Sequence, residues 1–183
     1  MNDLKGKKIA ILTEDGFEEI ELTSPRDALK EAGAEVFIVS PKKDKVKAKS
    51  GDDWTNEYQV DVSLENANSS NFDALVLPGG VINPDKLRTN KDALSFVQSF
   101  FNEDKTVAAI CHGPQVLINA NMVNNKKMTS VEAIALDLKN AGAQWEDKEV
   151  IVDGNLITSR TPEDLPAFNR ATIEAIAKNK VNR

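Results

Sequence analysis

The stretch Thr106-Val107-Ala108-Ala109-Ile110-Cys111-His112-Gly113-Pro114-Gln115 decides how this chain folds. An apolar run ends in the only cysteine and the only histidine of the sequence, and Gly-Pro follows at once. The run predicts a buried strand, Cys-His-Gly a sharp turn, and Pro114 the opening of a helix, where a missing N–H is tolerated. That arrangement resembles a nucleophile elbow with cysteine in place of serine. The turn lifts the side chain clear of the sheet, and the helix that follows points backbone N–H groups at it. A helix start is expected to lower the thiol pKa by favouring the thiolate.

Working outward, Phe72 to Leu77 is another strand, running into Pro78-Gly79-Gly80, where two glycines permit conformations and close approaches closed to other residues. Lys7 to Thr13 predicts a central strand buried on both faces, followed by a turn at Glu14-Asp15-Gly16, and Glu35 to Ser40 predicts a further strand. Between them Phe17, Ile20, Leu22, Ala28, Leu29 and Ala32 follow a helical pattern closed by Gly33. Pro25 allows two starts, at Ser24-Pro25 or near Glu18 with a kink at the proline; the apolar pattern before Pro25 favours the second. Pro84 to Glu103 predicts one long helix and Leu165 to Lys178 the last.

Lys127 to Ser130 reads as a short strand, Val131 to Asn140 as a helix, and Trp145 to Val152 with Leu156 to Ser159 as a hairpin around Asp153-Gly154. Lys42 to Lys49 carries five lysines in eight residues, the pattern of a solvated surface with turn and short-strand character. The pattern is weakest from Ser50 to Asn71, where Gln59 to Leu64 suggests a strand and Glu65 to Asn71 a polar loop. Strands alternating with helices predict one α/β domain over residues 1–183, with a mainly parallel central sheet covered on both faces.

Acids outnumber lysine and arginine by 29 to 23, a formal charge of -6, which disfavours nucleic acid or an anionic membrane as partner. One cysteine cannot form an internal disulfide, and the stretch from Met1 to Lys8 leads into an apolar run too short for a signal peptide or membrane span. The chain therefore reads as cytoplasmic. A lone His and a lone Cys argue against a transition-metal site, and no cofactor is expected.

In an open parallel sheet, ligands gather outside the carboxyl ends of the strands near a topological switch point. Three stretches end there on this reading: Glu14 to Glu21, Pro78 to Asp85, and Cys111 to Gln115. A solitary cysteine is commonly a small buried hydrophobe, but the strand-Cys-His-Gly-Pro context favours a nucleophile. His112 offers either its imidazole or only its backbone N–H to an oxyanion. Glu18, Glu19 and Glu21 are either favourable charge at a helix N-terminus or include one inward carboxyl. Such a carboxyl would be desolvated, raised in pKa and hydrogen-bonded to the sulfur in its protonated form. Gly79 and Gly80 form a plain turn or supply N–H groups to an oxyanion created by thiolate attack on a carbonyl.

With these residues assembled, the sequence resembles the ThiJ/PfpI family, within the class I glutamine amidotransferase-like superfamily. The resemblance rests on Asp15-Gly16-Phe17-Glu18-Glu19-Ile20-Glu21, on Phe72 to Gly80, on Ala109-Ile110-Cys111-His112-Gly113-Pro114-Gln115, and on Thr158 to Leu165. It spans roughly residues 7 to 178, and the Ala109 to Gln115 stretch is its most specific part.

The resemblance implies a flavodoxin-like three-layer α/β/α sandwich with Cys111 as nucleophile. The family's buried acid maps onto Glu21, with Glu18 the second candidate. In PfpI-type proteases the His after the cysteine pairs with an acid from a neighbouring subunit; Asp85 sits at the matching place after one extra residue, where the family usually has glutamate. The PfpI branch commonly has Gly-Lys-His-Gly where this chain has Ala48-Lys49-Ser50-Gly51 and an inserted-looking Asp52 to Asn56. Trp54 in that insert reads as a cap on the cleft, an oligomer contact or an exposed loop residue.

The function implied is a cysteine-dependent stress-response enzyme, glyoxalase-like or deglycase-like, acting on small carbonyl compounds or glycated proteins and peptides. In it Glu21 relays protons and the Gly80 and His112 N–H groups hold the oxyanion. The alternatives are a PfpI-like peptidase with a subunit-shared triad and a redox sensor in which Cys111 is oxidised. A homo-oligomer, dimer or larger, is expected.

Overall fold

Alternation along the strands sets the layers. In a computed structural model describing residues 3–180, Ile9 and Ile11 turn to one face of the central sheet while Ala10 and Leu12 turn to the other, and all four are buried. A strand buried on both faces is the signature of a parallel sheet with helices above and below. Met1 and Asn2, part of the N-terminal stretch read above, lie outside the described residues.

In chain order the elements are β1 (Lys8–Leu12), β2 (Phe17–Glu18), α1 (Glu19–Glu31), β3 (Glu35–Ser40), β4 (Lys45–Ser50), β5 (Asp53–Gln59), β6 (Val62–Ser63), β7 (Ala74–Leu77), α2 (Ile82–Leu87), α3 (Lys91–Asn102), β8 (Thr106–Ile110), α4 (Pro114–Asn119), β9 (Lys127–Met128), α5 (Ala135–Asn140), β10 (Gln144–Trp145), β11 (Val150–Asp153), β12 (Leu156–Ser159) and α6 (Leu165–Lys178). The main sheet has the order β11-β12-β8-β7-β1-β3-β6, parallel throughout except for β11 at one edge. From β1 the chain builds outward through β3 to one edge and then returns to β7 on the other side, so the order reverses beside β1. Leu22 and Leu29 of α1 pack with Leu165, Phe168 and Ile176 of α6 on one face, and α3, α4 and α5 cover the other. This is the expected flavodoxin-like α/β/α sandwich.

The helix near Pro25 begins at Glu19, the favoured of the two starts, and Pro25 is buried inside it, where it has no N–H to return to the Glu21 carbonyl. Other boundaries differ from the expectation. The long helix expected over Pro84 to Glu103 is two helices. The Asn90 side chain accepts the N–H groups of Asp92 and Ala93 at 3.0 and 3.1 Å, capping α3 and ending the continuity. The segment expected as a helix from Val131 is a 3₁₀ turn (Glu132–Ile134) before the single-turn α5.

The Lys42 to Lys49 run, expected to have short-strand character, and the inserted-looking segment after it form the β4–β5 hairpin, with Val46 and Ala48 buried while Lys45 and Lys47 stay in solvent. Of the expected strand from Gln59 to Leu64, only Val62–Ser63 joins the main sheet, beside β3. The Asp153-Gly154 hairpin is present from Val150; Trp145 pairs instead with Met128 in the small β9–β10 sheet.

The α3 side of the core is an aromatic chain in which Phe37, Phe72, Phe96 and Phe100 meet edge to face at 5.1 to 6.2 Å between ring centroids. Phe100 is fully buried. Phe100→Ala should therefore cost roughly 3–5 kcal/mol, seen as a lower urea midpoint with unchanged slope.

Candidate active site

The loops after β1, β7 and β8 close on one another at the carboxyl end of the sheet. Cys111 follows β8 directly with φ of 61°, a left-handed conformation uncommon for a side-chain-bearing residue. Its N–H donates to the Ser159 carbonyl at 3.1 Å and its own carbonyl accepts the Val131 N–H at 3.2 Å, so the strained residue is pinned at both ends. Gly113 closes the turn, its N–H on the Ile110 carbonyl; a Cβ there would lie 2.7 Å from the Leu77 carbonyl oxygen. The elbow thus requires glycine at this point for space.

Of the three glutamates near the start of α1, only Glu21 turns inward. It is 1% exposed, accepts the Gly79 N–H at 2.9 Å and hydrogen-bonds the Cys111 sulfur. Burial pushes its pKa up to about 8, helped by the nearby Glu18 charge and opposed by the Gly79 and Cys111 hydrogen bonds. At neutral pH it is the protonated carboxyl that the sequence suggested.

The Cys111 thiol departs from expectation: burial, then the neighbouring Glu21 charge, pushes it up, outweighing the N–H groups of His112 and Gly80 that pull it down. The reason is physical: α4 has only six residues, so its dipole is small against the cost of desolvating a thiolate. His112 contributes its backbone N–H and also its ring, with Nδ1 3.3 Å from Sγ. Burial lowers the imidazole pKa, so the ring is neutral at pH 7.

Gly79 and Gly80 divide their work. The Gly79 N–H is committed to Glu21, whereas the Gly80 and His112 N–H groups lie beside the sulfur. A Cβ on Gly79 would strike the Glu21 carboxylate and lie 2.7 Å from the Cys111 Cβ; one on Gly80, whose φ is 77°, would lie 2.7 Å from the Glu18 nitrogen. The Pro78-Gly79-Gly80 turn approaches Cys111, Glu21 and the Gly16 to Glu18 backbone so closely that only glycine fits.

Glu18 is turned away from the sulfur, accepting the Gly51 N–H of the β4–β5 turn at 3.1 Å, and Glu19 accepts from Asn56 and the Tyr58 hydroxyl at 2.8 and 2.7 Å. These two acids hold the hairpin. Trp54 lies on β5, half exposed, with the Lys47 and Lys49 ammonium groups 5.6 and 5.4 Å from its ring centre. Asp85 is exposed on α2 and is not among the groups around the sulfur in this chain. Sequence reasoning missed Asn83, a fully buried amide that bonds both the Glu14 and the Pro78-Gly79 segments. Among the described residues no three His, Cys, Asp or Glu side chains converge as a metal site, and no helix is long and apolar enough to cross a membrane.

A family model described as the DJ-1/PfpI family matches residues 7–175. General stress protein 18 of Bacillus subtilis is 47% identical over 175 residues, covering 94% of this chain and 99% of that protein. Protein/nucleic acid deglycase 2 of Escherichia coli is 46% identical over 172 residues, covering 93% and 98%. Among solved structures, Drosophila melanogaster DJ-1beta superposes with a TM-score of 0.86 at 30% identity, over 95% of this chain and 92% of that one.

The buried carboxyl makes stability depend on pH. Because Glu21 titrates near 8 when folded and near 4.5 when unfolded, the native state holds the extra proton between those values, and stability falls as pH rises through that window. Glu21→Gln removes this loss. Urea denaturation should show the variant gaining on the parent protein between about pH 5 and about pH 9, by on the order of 3–5 kcal/mol. Parallel curves for the two proteins would mean that Glu21 titrates normally.

Proposed function

Since the chain belongs to the DJ-1/PfpI family, we propose that it is a cysteine-dependent stress-response enzyme acting on reactive carbonyls, such as methylglyoxal, or on their protein adducts. The observation that carries this reading is the pairing of Cys111 with Glu21 under the Gly80 and His112 N–H groups. Similarity to a general stress protein and to a deglycase supports it.

The chemistry follows from the proton inventory. In the fraction of molecules where Glu21 is ionised, the thiol proton passes to its carboxylate as sulfur bonds to the aldehyde carbon, and the oxyanion is received by the Gly80 and His112 N–H groups. A carboxyl titrating near 8 suits this shuttle, because it takes and returns a proton at little cost near neutral pH. On methylglyoxal, loss of the proton from the former aldehyde carbon and reprotonation at the neighbouring carbon give a thioester. Water cleaves it to the hydroxy acid and the free thiol. No external oxidant is needed, since one carbon is oxidised as its neighbour is reduced. On a carbinolamine adduct, attack at the same carbon breaks the C–N bond and the amine leaves with a proton.

A second reading, peptide hydrolysis, is favoured by the 3.3 Å approach of His112 Nδ1 to Sγ, which supplies a base beside the nucleophile. It needs an acid on His112 from another subunit, for which Asp85 on the exposed side of α2 is the candidate. A third, redox sensing, would place oxidised Cys111 beside the Glu21 carboxyl. A cytoplasmic homo-oligomer working without a cofactor is the accompanying proposal.

Methylglyoxal turnover should vanish in Cys111→Ser, fall about 10²-fold in Glu21→Gln, and survive in Asp85→Ala. Loss of a peptidase activity in Asp85→Ala would instead support the second reading. If the parent protein turns over methylglyoxal no faster than Cys111→Ser, the carbonyl reading is wrong.

A further inference from the structure

Asn83, in the first turn of α2, is fully buried, and its amide uses both ends. Oδ1 accepts the Glu14 N–H at 2.7 Å, and Nδ2 donates to the carbonyl oxygens of Pro78 and Gly79, each at 3.1 Å. Those carbonyls belong to two successive peptide units, whose nitrogens are those of Gly79 and Gly80. With no cis peptide among the described residues, each C=O and its N–H point in opposite directions. Each unit is therefore gripped at its oxygen by Asn83 and presents its N–H to the reacting groups. The Gly79 N–H meets Glu21 Oε2 at 2.9 Å, and the Gly80 N–H meets the Cys111 sulfur.

We propose that Asn83 is a positioning residue: by holding the Pro78 and Gly79 carbonyls it sets the planes of two peptides, and so aims one N–H at Glu21 and the next at the Cys111 sulfur. The inference rests on the reading of Cys111 and Glu21 as the reacting pair. Two glycines in succession have the greatest backbone freedom the chain allows, and close packing forbids a Cβ at either, so the constraint must come from outside the loop. An amide alone meets the demand. A carboxylate would still accept from Glu14 but would set negative oxygen against two carbonyl oxygens, and a methyl group would leave the two buried carbonyls and the Glu14 N–H without this partner. Donation to the carbonyls also polarises the peptides and strengthens the N–H groups at their far ends. Through Glu14 the same side chain locks this loop to the one after β1.

The test uses Asn83→Asp and Asn83→Ser in the full chain, the second controlling for the added charge of the first. Because Cys111 is the only cysteine, mass spectrometry of iodoacetamide alkylation across pH reads its reactivity alone. In both variants alkylation near neutral pH should slow about tenfold, with the profile displaced upward by about one pH unit. Methylglyoxal kcat should fall about 10²-fold with KM changed less than about threefold. A folded variant with the parent's alkylation profile overturns the proposal, even if its Tm is lower, since that pattern marks a purely structural amide.

If neither variant folds, hydrogen exchange of the Gly79 and Gly80 amides in the parent protein decides. Strong protection supports the clamp, and exchange as fast as in an open loop overturns it. Should the parent fail to turn over methylglyoxal while both variants displace the alkylation profile, the carbonyl reading falls and the positioning role stands.

Discussion

The left-handed backbone of Cys111 is the constraint on which the site depends. A non-glycine residue at φ of 61° costs on the order of 1–3 kcal/mol and persists only where its surroundings over-determine it. They do so here. β8 is paired on both sides, by β7 and β12, so the chain arrives at Cys111 with no freedom of register. The Ser159 carbonyl and the Val131 N–H then fix the residue on either side of its own Cα. The central parallel sheet thus delivers one side chain, at one angle, to the place where three loops meet.

What meets it there is a second unfavourable group. A carboxyl 1% exposed is destabilising in its charged form, and among the described residues it is met only by the Gly79 N–H and the sulfur, with no cation to offset it. Thiol and carboxyl each resist ionising for the same reason, burial; the Glu21 charge further penalises the thiolate, while the hydrogen bond from the thiol eases ionisation of Glu21. The pair therefore behaves as one titrating unit, able to pass a proton internally and reluctant to lose it to water. Stability is given up at Glu21 above neutral pH, which is the pattern expected when a group is kept for its proton.

Much of this was legible in the sequence. β1, β3, β7 and β8 are visible as short apolar runs because both faces of a central strand are buried. The elbow is visible because Gly-Pro directly after Cys-His must end the strand in a tight turn and can open a helix. Glu21 was identifiable only through the family resemblance, since three glutamates in four positions have no periodicity that selects one. Of the β4–β5 hairpin only the short-strand character of Lys42 to Lys49 was legible, and its lysines hid the rest. An edge hairpin buries one face alone, here Val46 and Ala48, and five charges in eight residues drown that alternation. The break between α2 and α3 was hidden for a different reason: Asn90 is an ordinary polar residue until its side chain is seen bonded to two N–H groups.

The elevated thiol pKa was illegible as well, because a helix start is visible in sequence whereas the depth of burial around it is not. Asn83 combines both difficulties. The ThiJ/PfpI resemblance implies one extra residue between Gly80 and Asp85, and at the level of pattern that residue only displaces Asp85. In three dimensions the same segment contains the amide that faces back into the glycine loop. A polar side chain that bonds only backbone leaves no motif, since its partners are carbonyls and an N–H that nearly every residue type possesses. What identifies it is that all three partners lie in two of the three loops that build the site, and that the peptides it grips are the ones whose opposite ends face the acid and the sulfur. The specificity of such a residue resides in geometry, and a side chain chosen by geometry becomes recognisable only when the backbone around it is known.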